Sequence, residues 1–195
     1  MSAIFDFEEN RRHMAFSLLG KKRLKEQHVA KVFVGTLNEL AEKTFPTLSE
    51  FLNEVPELME SPKIKPNQME WFLYIVFSTN LYNLQYHFES NQLNRMRILV
   101  IDEFIESLED REHDLTLEQI NNYEEYIIGL DKVINDLPKS MATAIFNKYG
   151  INNCQLDHFQ KINTPNPIII KSIEEATKNY IWNWTDFLEK YKMVA

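Results

Sequence analysis

The stretch from about Gln68 to Ser90 constrains this chain most. Leu73, Phe77, Leu81, Leu84 and Phe88 recur at helical spacing, and Trp71, Ile75, Tyr82 and Tyr86 broaden the stripe. Apolar residues on more than one side of a helix predict a central element packed by several neighbours. The run is too long for a strand and shows no strict alternation. Only 4 of the 195 residues are glycine, which leaves little material for phosphate-cradling or dinucleotide-binding loops.

The flanking segments follow the same period. A first helix is expected over Asp6–Lys25. A second runs from about Glu26 to Lys43, with Val29, Val32, Phe33, Leu37 and Leu40 inward. Phe45-Pro46 should end it, because a residue before proline avoids the α region. Thr47 with Glu50 has capping-box spacing, and Asn67 with Glu70 a variant of it. Further helices are expected over about Gln92–Arg111, from Thr116 to Asp136, and over about Lys139–Tyr149, with Gly150 as a left-handed C′ residue. Ile168-Ile169-Ile170 reads as a short extended segment or apolar plug. Ser172 and Glu175 then open a last helix to about Lys192.

The expected fold is therefore all-α: an irregular bundle of six to eight helices around an aromatic-rich core, as 12% of the chain is Phe, Trp or Tyr. Residues 1–195 read as one helical domain, with loop-rich connectors at 44–67 and 150–171.

The formal net charge is −8. Such a chain gains little from counterion release, so nucleic-acid binding is disfavoured. The charge is uneven. Arg11, Arg12, Lys21, Lys22 and Arg23 make a basic end. Asp102, Glu103, Glu106, Glu109 and Asp110, continued by Glu112 and Asp114, make an acidic run. Each is read either as a solvated helix face or as a docking patch for an oppositely charged partner. The two could also pair between copies in a homo-oligomer. No secretory leader pattern and no membrane-length apolar run occur, so the expectation is a cytoplasmic protein without membrane contact.

Motifs for chemistry are sparse. Cys154 is the single cysteine, which excludes an internal disulfide. Cys154 and His158 would lie one turn apart on a helix, where a histidine lowers a thiol pKa. Glu109, Asp110 and His113 form a weak metal-ligand set, because a second Glu-x-x-His is missing. No cofactor is implied. Asn80, Asn83, His87 and Asn91 recur at three- or four-residue steps beside the apolar stripe. They read as a wet helix face or as a polar ligand groove.

Missing site motifs and abundant helical surface point to a non-catalytic protein-binding factor: an adaptor, inhibitor, chaperone or immunity-type protein acting through charged helical surfaces. Its partner would be another protein, with a basic surface if the acidic run is the contact. Two alternatives are an enzyme with a histidine–carboxylate site inside the bundle, using His87 or His113, and a structural oligomer.

Overall fold

The computed structural model describes residues 21–108 and 113–195. Among them are eight α-helices and one small sheet: β1 (Lys22–Lys25), α1 (Glu26–Asn53), α2 (Met69–Asn83), α3 (Ser90–Ser107), α4 (His113–Ile134), α5 (Leu137–Lys148), α6 (Asp157–Lys161), α7 (Pro167–Thr177), α8 (Trp184–Lys190) and β2 (Tyr191–Val194). The all-α bundle is thus the architecture.

Helix α2 is the central element. Every residue from Phe72 to Leu81 is buried, and α1, α4 and α5 pack around it. Its apolar residues lie on all sides, as required of a helix enclosed by others. The core is aromatic. Phe77 stacks on Phe104 of α3 with ring centroids 3.7 Å apart, and Tyr74 stacks on Tyr123 of α4 at 5.7 Å. Phe72 meets Phe45 of α1 and Tyr180. Gly150 has φ +65°, the left-handed geometry that glycine adopts without a Cβ penalty.

Several expected boundaries are corrected. Helix α1 runs straight through Pro46 to Asn53, so residues 44–53 are not a connector and Thr47 is no cap. Phe45, Leu48 and Leu52 are buried in one helical register. Their burial outweighs the amide that Pro46 lacks. Asn67 does not cap α2; the Gln68 side chain instead accepts from Lys65 N. The stretch from Gln68 to Ser90 is not one helix: α2 ends at Asn83, passes through a 3-10 turn at Leu84–Tyr86, and α3 starts at Ser90. Thr116 lies inside α4, which is already helical at His113. Ile168–Ile170 is helical, since Asn166 caps α7 by accepting from Ile168 N and Pro167 fills the first turn.

The largest corrections concern both flanks of the described chain. Of the expected helix Asp6–Lys25, residues 1–20 lie outside the described residues, and Lys22–Lys25 is a strand. The expected last helix breaks after Tyr180, restarts at Trp184 and ends at Lys190. The next four residues form β2, parallel to β1, with Lys22↔Tyr191, Arg23↔Lys192, Leu24↔Met193 and Lys25↔Val194 as partners. Leu24 and Met193 share the inner face, whereas Arg23 and Lys192 are exposed. That alternation is the period of a half-buried ladder.

Candidate functional site

The asparagine stripe is not gathered on one surface: Asn80 and Asn83 are buried, His87 is half-buried and Asn91 is exposed. Asn80 is fully buried, and its amide is spent on the backbone. Its Nδ2 donates to Val76 O at 2.9 Å and Tyr180 O at 2.8 Å, and its Oδ1 accepts from Trp182 N at 2.8 Å. Asn80 thus clamps the break that separates α7 from α8. Asn83 is buried beside it, with Nδ2 3.5 Å from Trp182 O. His87 is half-buried in the turn after α2, and burial lowers its pKa. Asn91 is exposed on α3. The break at Leu84–Glu89 separates His87 and Asn91 from the helix that carries Asn80.

Among the described residues the catalytic candidates do not converge either. Cys154 is buried, and its thiol pKa is raised by burial, then by the nearby Glu60 carboxylate. That is the reverse of an activated nucleophile. His158 is exposed on α6, its ring against Phe159. Glu109 and Asp110 lie outside the described residues, as does the side chain of His113. Among the described residues no three His, Cys, Asp or Glu side chains gather as a metal site. No described helix is long and apolar enough to cross a membrane.

Charge is organised more tightly than composition suggests. Of the acidic run, Asp102 and Glu106 are exposed on α3 and Glu103 is half-buried. Helices α1 and α3 run side by side in the same direction: Arg95 meets Glu26, and Asn38 meets Ser107. The acids Asp102–Glu106 therefore lie well along α3 from the end that carries β1. That end is basic. Arg11 and Arg12 lie outside the described residues, but Lys21, Lys22, Arg23 and Lys25 are joined there by Lys190 and Lys192 through the β1–β2 ladder, and all six are exposed. Arg23 and Lys192 are direct partners across the strands, an arrangement that repels. Among the described residues none of these six is in an ion pair. Lys21 Nζ donates to Leu188 O at 2.5 Å near the C-terminal end of α8, where a cation complements the helix dipole.

Beside this basic end the surface is notched. A cavity of about 230 Å³ lies between β1, α1 and the α8–β2 segment. Leu24, Val32, Trp182, Phe187 and Tyr191 supply its apolar walls, and Lys22 and His28 its rim. Val32 is 44% exposed. Phe187 packs on Trp182, Trp184 and Tyr191, so the far wall is anchored in the core. The near side is fixed by Glu26, the first residue of α1. Its buried carboxylate takes two bonds from Arg95, at 2.8 and 2.9 Å, and one from Gln92 at 3.0 Å. The Arg95 bond, helped by Gln92, holds this carboxyl below the usual glutamate range against the opposing effect of burial.

Sequence reasoning saw half of this site. Lys21–Arg23 stands out as a charge cluster, but Lys190 and Lys192 fall within the expected last helix. Only Lys192 set between Tyr191 and Met193 hinted at a strand. A second surface was also missed: a cleft of about 480 Å³ where Lys148 lies over the rings of Trp71 (4.7 Å) and Tyr123 (5.3 Å). There the ammonium is already engaged by two aromatic faces.

No protein-family model, no curated protein and no solved structure matches this chain, and its functional reading rests on the geometry of the basic end.

Proposed function

We propose that the chain is a non-catalytic protein-binding factor whose contact surface is the basic end at the β1–β2 ladder, and whose partner is acidic. This differs from recognition through helical faces alone, because the cations sit on strands as well as on α8. The observation that carries the reading is the gathering of Lys21–Lys25 and Lys190–Lys192 at one end of an acidic chain, without acidic partners among the described residues. Leaving like charges side by side costs stability in the free protein, and an acidic surface relieves it on binding. The roles of adaptor, inhibitor, chaperone and immunity-type protein all fit such a surface.

A second reading has one observation in its favour. The acids of α3 lie away from the basic end, so two copies could associate head to tail. A contact of that kind is heterologous and would extend or close into a ring. Mass measurement at low and high salt tests it.

The main test is capture from native lysate with three proteins: the wild type, R23E/K192E, and D102N/E103Q/E106Q. The partner is expected to be retained by the α3 variant and lost by the ladder variant, with about tenfold weaker binding once it is purified. Unchanged capture by R23E/K192E would overturn the reading. Arg23 and Lys192 are exposed, so circular dichroism should report an intact fold.

A further inference from the structure

We infer that the partner contributes an extended acidic segment that adds as a strand to the edge of β1 away from β2, unpaired among the described residues, and seats one apolar side chain in the adjoining notch. The inference rests on the basic-end reading and gives it a mode of binding. In a parallel ladder only alternate residues direct their backbone groups to the neighbouring strand. Tyr191 N–H closes the end of α8 on Phe187 O; among the described residues no backbone hydrogen bond pairs the edge of β1 that faces away from β2.

Lysines on an edge strand commonly guard it against indiscriminate pairing. A guard alone would not need the notch. The cavity beside Lys22 and Leu24 has apolar walls from Val32, Trp182, Phe187 and Tyr191, and its size suits a single large side chain. Strand addition joins the two features. Side chains of an added strand alternate between faces. Those sharing the face of Leu24 approach the notch, and those on the other face lie beside Arg23, Lys25 and Lys192. The segment that fits is thus acidic–apolar–acidic in extended form. Charge complementarity selects its acids, and the notch selects the residue between them. A second copy of this chain does not supply it from Asp102–Glu106, because that run is helical in α3.

The test uses the full chain and synthetic ten-residue peptides with blocked ends. The parent peptide alternates Glu and Leu through its centre. Two derivatives carry backbone N-methyl groups, one at odd and one at even positions. Two more replace every Glu by Gln, or the central Leu by Asn. Affinity is read by calorimetry at low salt, and the site by amide hydrogen exchange. The parent should bind and slow exchange within residues 22–25. One N-methyl series, and only one, should lose affinity, by about fivefold for each edge hydrogen bond removed. The Gln peptide should lose most of its binding, and V32E should erase the preference for Leu over Asn. If both N-methyl series bind like the parent while the Gln peptide does not, strand addition is wrong and the basic-end reading survives. If no acidic peptide binds, or protection appears away from β1, both fail.

Discussion

Removing the Asn80 amide should unfasten the C-terminal third of the site before it unfolds the bundle. In N80A, Tyr180 O and Trp182 N lose the partner that reaches them across about 100 residues. Each stranded backbone group costs about 1–3 kcal/mol. The Val76 contact adds little, because that carbonyl can also serve the helix ladder. Alanine recovers a few tenths of a kcal/mol in helix propensity. The net expectation is a loss of about 2–5 kcal/mol, a large share of the ~5–15 kcal/mol that holds a typical domain. Urea unfolding followed by circular dichroism measures it. Hydrogen exchange should show residues 180–194 loosening more than α2 and α4. N80D sharpens the test. The new carboxyl can still accept from Trp182 N but, once ionised, cannot donate to Tyr180 O, and burial raises its folded pKa above the unfolded ~3.9. Its folded form holds the proton longer, so stability is lost as pH rises above that value, by up to ~1.4 kcal/mol per pH unit until the folded pKa is reached. A loss under ~0.5 kcal/mol in N80A, or exchange that quickens evenly over the protein, would refute the clamp.

Other outcomes follow from single contacts. Arg95 holds the Glu26 carboxyl below its ordinary range, so its stabilisation is present above the unfolded pKa near 4.3 and lost as pH falls through the folded value. The stability gap between wild type and E26Q should therefore be widest near neutrality and shrink in acid; a pH-independent gap would count against the pair. Pro46 is exposed inside α1, and P46A restores an amide without emptying a packed site. It should stabilise by about 1–3 kcal/mol in urea unfolding, and a destabilised variant would show that the ring itself matters. Burial raises the pKa of Tyr82, Tyr149 and Tyr180. The folded protein thus keeps these protons longer than the unfolded chain, and stability should fall as pH rises past ~10. Ultraviolet titration should show these rings ionising with unfolding; early, reversible ionisation of all eight tyrosines would contradict it.

What was legible in the sequence followed local rules. The period of Leu73, Phe77 and Leu81 announced α2, and Gly150 announced its left-handed turn, because both are decided within one or two helical turns. What was hidden is decided at a distance. Pro46 signals a stop, yet Phe45, Leu48 and Leu52 are held in register by the core. Ile173 to Tyr191 keeps a helical pattern, but Asn80 on another helix captures the backbone at Tyr180 and Trp182. Lys22–Lys25 has residues suited to a helix, and its strand partner lies at the opposite flank of the sequence. Half of the basic site was therefore invisible to any local window.

The parallel ladder also has a mechanical meaning. Tension between residue 22 and residue 194 enters β1 at its N-terminal end and β2 at its C-terminal end. Because the strands run the same way, that load slides one along the other and strains the inter-strand bonds together. An antiparallel pair pulled from adjacent ends would instead unzip bond by bond. Four residue pairs at the flanks of the described chain thus act as a shear latch: the helices behind it feel no pull until the latch gives way.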